Sequence, residues 1–147
     1  DTEALFAALG VPGSELPVLL YDNGATHIFV TLGSEEEVAA LAPDPSAIAP
    51  FEVTGVNCIA GSGAHWKTRM FWPDGEDAAT GSAAGPLAVH VCGHERAEWG
   101  EWLEISQGAE IGRPSKLHAV ADAAGGELAR VAVGGSAVTV ARGEFRL

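Results

Sequence analysis

One uninterrupted apolar helical run, "SAAGPLAVHVCG" at residues 82–93, stands among many short segments that read as strands. A helix with no polar face has to be covered on every side. Strands are the only abundant material here to cover it, so the pattern predicts an α+β domain in which a sheet curls around a central helix. The strand-like segments are "LPVLLYD", "ATHIFVTLG", "EVTGVNCIA", "HWKTRMFW", "EWLEISQ", "KLHAVAD", "ELARVAVG" and "AVTVARG". Asp22-Asn23-Gly24 marks a hairpin with a loop that can exceed two residues, and "GSG" at 61–63 marks another turn. Gly125-Gly126 and Gly134-Gly135 punctuate the last three strands as a meander. Two shorter helices are expected. "TEALFAALG" has Thr2 as its cap and Gly10 as its stop; "SEEEVAALAP" has Ser34 as cap, Glu37 completing a capping box and Pro43 ending it. "PDPSAIAPF" reads as a Pro-rich connection.

At 147 residues, with 47% hydrophobic content, the chain suits one domain spanning 1–147 with a substantial core. Its net charge of −12, with eight scattered basic residues, argues against nucleic acid and anionic membranes as partners. No apolar run approaches the ~20 residues of a membrane span. The opening "DTEALFAALG" has neither the basic start nor the apolar stretch of a secretory signal, and the two cysteines make no disulfide framework. A cytoplasmic location with reduced Cys58 and Cys92 is expected. "HVCGH" offers His90, Cys92 and His94 as zinc-type ligands but lacks a second ligand pair, so no metal is expected. His27, His65 and His118 fall on strand-like segments, where a satisfied histidine is the simpler reading. Trp66 and Trp72 read as core. Both faces of "HWKTRMFW" carry large side chains, which predicts a strand covered on both sides or one with a face lining a cavity.

The stretch leading into the long helix is "PDGEDAATGSAAGPL". Proline fits the first helical turn, where its missing N–H is not needed, so Pro86 places the helix start near Ser82. Amides at a helix start have no intrahelical acceptor and aim outward, and Gly81 leaves them uncovered. Such an array suits a carboxylate or a phosphate. An ordinary capped helix with small residues for close packing is the plainer alternative. Glu76 and Asp77 stand just before the array. A carboxylic acid beside a bound anion has its neutral form favoured, which suits it to proton transfer. The spacing does not choose between the two acids.

"RMFWPDGEDAATGSAAGPLA", "QGAEIGRPSKLHAV" and "VAVGGSAVTVARGEF" together resemble the C-terminal half of the PhzF-like phenazine biosynthesis family. The resemblance continues through "LGVPGSELPV" and "SEEEVAALAPD" and so spans almost the whole chain. It implies a mixed sheet wrapped around a central helix, one half of a two-domain fold similar to diaminopimelate epimerase. It also implies an isomerase that removes and returns a proton at carbon without any cofactor. Asp77 would handle or orient that proton, while Gly81 and Ser82, with Thr80 and Ala83 beside them, would hold a substrate carboxylate. Thr80 takes the place of the epimerases' catalytic cysteine. Glu76, Arg113 of "GRPS" and His65 are secondary candidates. Ala78 replaces the motif's usual proline, which should loosen the approach to the helix. The family's N-terminal domain, with its "GNP" stretch and principal glutamate base, is not in this sequence. The expected partners are therefore a small carboxylate substrate and that domain or a second chain, in a homo-oligomer such as a dimer. A binding module without catalysis, or a homologue that serves only in assembly, are the competing readings.

Overall fold

The computed structural model describes residues 1–146. Three helices, a 3-10 helix and eight strands alternate along the chain: α1 (Thr2–Leu9), β1 (Leu19–Asp22), β2 (Thr26–Thr31), α2 (Glu35–Ala40), the 3-10 helix (Pro45–Phe51), β3 (Gly55–Ser62), β4 (His65–Trp72), β5 (Gly75–Asp77), α3 (Gly81–Gly93), β6 (Leu103–Gln107), β7 (Ser115–Ala124) and β8 (Glu127–Gly135). The strands make one mixed sheet in the order β1-β2-β3-β4-β6-β7-β8, with β5 also paired on β4. Because β3 runs along one edge of β4, β5 and β6 share the other edge. The two parallel pairings, β2 with β3 and β4 with β6, need crossovers. The first passes through α2 and the 3-10 helix; the second passes through α3.

Alternation along the central strands separates two cores on opposite faces of the sheet. Ala83, Ala84, Leu87, Ala88 and Val91 of α3 pack with Phe29, Ile59, Trp66, Leu103, Ile105 and Ala119, which come from five strands. Strands so far apart in sheet order can meet one helix only if the sheet is curled. On the other face, Leu5 and Leu9 of α1, Val38 of α2 and Ile48 pack with Val56, Cys58 and Phe71. β4 is buried on both faces from Trp66 to Phe71, as its two large faces imply.

The Asn23 hairpin has a three-residue loop, with Asp22 opposite Thr26. Ser34 caps α2 by accepting from the Glu37 amide at 3.1 Å, while the Glu37 carboxylate accepts from Gly33, one residue earlier than a standard box. Four expectations are corrected. Asp1, not Thr2, caps α1, its carboxylate accepting from the Ala4 amide at 3.1 Å. The Pro-rich connection winds into a 3-10 helix, started by the Asp44 carboxylate on the Ser46 amide at 2.9 Å. Trp72 is 44% exposed, because it ends β4 beyond the reach of either core. "AVTVARG" is not a strand: residues 136–146 leave the sheet after Gly135, and Val138 and Val140 are largely exposed with no strand beside them.

Candidate functional site at the start of the buried helix

β5 delivers Asp77 to the sheet edge, and three residues later α3 begins with Thr80 as its N-cap. Pro86 is therefore the sixth helical residue, not part of the first turn. Proline at this depth removes the donor that would bond the Ser82 carbonyl, four residues back. The side chain of Asn23, at the β1–β2 hairpin tip, replaces it: its Nδ2 donates to the Ser82 oxygen at 2.9 Å. The missing intrahelical bond is made good from another element, which is how the helix, starting at Gly81 within one residue of the expected Ser82, accommodates proline beyond its first turn.

The donor array is smaller than the sequence implies. The Thr80 amide donates to Gln107 Oε1 at 3.0 Å, and the Ala83 amide donates to the Thr80 carbonyl at 3.1 Å. Ala83 is also buried, so its expected role in holding a ligand is corrected: its N–H is already used. The Gly81 and Ser82 amides have no acceptor among the described residues, and both residues are exposed. Gly81 also lines a surface groove with Ser115, Lys116, Gly134 and Ser136.

The structure separates the two acids. Glu76 forms a buried two-pronged ion pair with Arg69, Nε to Oε1 at 2.8 Å and Nη2 to Oε2 at 2.6 Å. The same guanidinium donates to the carbonyls of Ala39 and Leu41 at the end of α2, at 3.1 and 2.6 Å. Glu76 is thus tied to the opposite core and is removed as a candidate for the chemistry. Asp77 faces the helix start. Its Oδ2 accepts from the Thr80 hydroxyl at 2.9 Å, and its main-chain carbonyl accepts from Gln107 Nε2 at 2.8 Å. Gln107 Nε2 also donates to Thr80 Oγ1 at 2.9 Å, so the threonine proton is turned toward Asp77. With Gln107 accepting from the Thr80 amide as well, one buried side chain braces the whole turn. Close packing adds to this: a Cβ on Gly108 would lie 2.6 Å from the Ala78 oxygen. The turn is held by these contacts where the motif's proline is lacking.

Two secondary candidates lie elsewhere. His65 opens β4 and is exposed, five residues along the strand from Met70, the residue opposite Asp77. That separation is about 16 Å. Arg113 is exposed on the loop before β7, and its guanidinium holds no carboxylate among the described residues. The His90 ring is wholly buried, bonded through Nδ1 to the Tyr21 hydroxyl at 3.1 Å, and burial pushes its pKa down to about 4. The Cys58 thiol is pushed up to about 12 by burial. Sequence reasoning missed Gln107, Asn23 and the His27–Ser82 contact, in which Nε2 lies 3.0 Å from Oγ.

Fold and site together define an α+β protein of mixed, curled sheet, with two free amides at a helix start beside a braced aspartate. The chain belongs to the phenazine biosynthesis-like protein family, whose sequence model matches residues 2–143. It is 49% identical over 146 residues to the trans-2,3-dihydro-3-hydroxyanthranilate isomerase of Pseudomonas aeruginosa and 48% identical to that of Pseudomonas chlororaphis. Each match covers 97% of this chain and 52% of the relative, so the chain spans about half the length of these curated relatives. A crystal structure of the Bacillus anthracis phenazine biosynthesis protein of the PhzF family superposes with a TM-score of 0.74 at 16% identity, over 90% of this chain and 51% of that one. That likeness concerns the fold.

Proposed function

We propose that this chain is the C-terminal domain of a PhzF-like isomerase, in which the sheet wraps α3 as one half of a two-domain fold. The reaction is proton removal and return at carbon on a small carboxylate-bearing substrate, without a cofactor. The carboxylate rests on the Gly81 and Ser82 amides and the Ser82 hydroxyl, which are donors with no charge of their own to neutralise. Asp77 gives or takes the proton, or orients the reacting group, and a base from the N-terminal domain or a second chain faces it across a cleft. A small substrate held beside a fixed acid gains mainly from orientation. The observation that carries this reading is the combination of two unbonded, exposed amides with an aspartate three residues before the helix, braced by Thr80 and Gln107. The identity to the Pseudomonas isomerases supports trans-2,3-dihydro-3-hydroxyanthranilate as the first substrate to try.

The test is deuterium uptake from heavy water into that compound, followed by NMR, using the complete gene product or this chain mixed with the N-terminal half of the Pseudomonas aeruginosa enzyme. Asp77→Asn should lower the exchange rate by about 10²–10⁴-fold, the range of a general acid or base. Exchange that persists in Asp77→Asn would remove the aspartate from the chemistry. Tight binding without exchange in the unaltered protein would instead favour a binding module.

A further inference from the structure

The buried side chains behind Ser82 determine which way its hydroxyl can bond. Asn57, wholly buried on β3, places Nδ2 3.3 Å from the Ile28 carbonyl oxygen and 3.4 Å from His27 Nδ1. A carbonyl oxygen only accepts, so the Asn57 atom facing it is the amide nitrogen and not the amide oxygen. An amide nitrogen only donates, so His27 Nδ1 accepts, and the single ring proton of the neutral imidazole sits on Nε2. Nε2–H then donates to Ser82 Oγ across 3.0 Å. The Ser82 hydroxyl proton is left without an acceptor among the described residues, on a residue exposed beside the free Gly81 and Ser82 amides. Thr80 makes the contrast: its hydroxyl proton is spent on Asp77.

We propose that Asn57 and His27 are positioning residues that fix the Ser82 hydroxyl as an outward donor, so that the site selects a ligand group whose oxygens only accept, as a carboxylate's do. The inference rests on the reading of Gly81 and Ser82 as the carboxylate site. The relay runs from the Ile28 carbonyl through Asn57 and His27 to Ser82, and each link fixes the direction of the next. A primary amide or an alcohol presents a donor of its own and meets three donors in return; a carboxylate does not.

Two measurements decide it. The ring nitrogens of His27 in the unmodified chain, resolved by two-dimensional NMR, should show the Nε2–H tautomer at neutral pH. An Nδ1–H tautomer or an imidazolium would overturn the relay alone and leave the carboxylate site standing. Benzoate and benzamide are then titrated while the Gly81 and Ser82 amide shifts are followed. Benzoate should be preferred, and Ser82→Ala and His27→Leu should each weaken it by about tenfold. His27→Gln, which keeps a donor, should recover most of the loss. Unchanged benzoate binding in a folded His27→Leu, with Ser82→Ala weakened, would overturn the positioning role. Failure of the unaltered chain to bind benzoate at all would overturn the carboxylate site itself, and the proposal with it.

Discussion

Asp77 and Glu76 are neighbours of the same charge, yet their surroundings assign them different work. Glu76→Gln should destabilise the fold by about 3–5 kcal/mol in urea unfolding, because it strands the buried Arg69 charge. Asp77→Asn should leave stability nearly unchanged while affecting exchange. A similar cost for both would mean that the separation of roles is wrong. Gln107→Leu should cost about 2–4 kcal/mol, since the Thr80 amide and the Asp77 carbonyl both lose their partner. The two acids were legible as a pair from their place before the glycine, and Gly81 and Ser82 from the bare helix start. The choice between the acids was not, because it depends on Arg69, whose own position is set by strand pairing. Gln107 lies 30 residues from Asp77 and Asn23 59 from Ser82, so no local pattern could connect them. His90 adds a pH dependence. Its neutral form is favoured when folded, so between the ordinary histidine pKa of ~6.5 and about 4 the unfolded chain binds more protons, and stability falls as pH falls through that window. His90→Phe should flatten the urea midpoint over this range; an unchanged slope would assign it to other groups.

Among the elements, those with strong periodicity or clear punctuation appear where the sequence places them: α2 with its serine cap, the Asn23 hairpin, and the buried strands β3 and β4. The start of α3 falls within one residue of the expected Ser82, but Pro86 sits deeper than the first turn, and the cause is tertiary. Pro86 would be confined to the first turn of an isolated helix, but Asn23 supplies the bond that proline removes. A double-mutant cycle tests this. Asn23→Ala alone should cost about 1 kcal/mol, and less in a Pro86→Ala background, where residue 86 regains its own N–H. Strict additivity would show that the two residues do not compensate each other. Gly85 marks a second requirement of the same helix, since a Cβ there would lie 2.8 Å from Val131 Cγ1 on β8. Gly85→Ala should therefore cost about 1–3 kcal/mol, and Val131→Ala should relieve part of it.

For the molecule as a whole, the apolar surface is uneven. Leu128, Val131 and Val133 of β8 are exposed, as are Val138, Val140 and Phe145 beyond it. Exposed apolar side chains along an edge strand offer a surface that another body can cover, which fits the proposal that a second domain or chain completes the protein. The chain by itself is expected to sediment as a dimer or larger at micromolar concentration. A clean monomer would show that the exposed strand does not drive association. "AVTVARG" has the alternation of a strand but no pairing neighbour among the described residues, and pairing cannot be read from one segment alone. No helix among the described residues is long and apolar enough to cross a membrane.

The grip of Arg69 on both Glu76 and the last carbonyls of α2 ties that helix to the strand that bears Asp77. A six-residue helix is too short to persist unaided, so α2 leans on contacts of this kind. Glu76→Gln should therefore lower amide protection in α2 as well as in β5; protection lost in β5 alone would show that the two elements are not coupled.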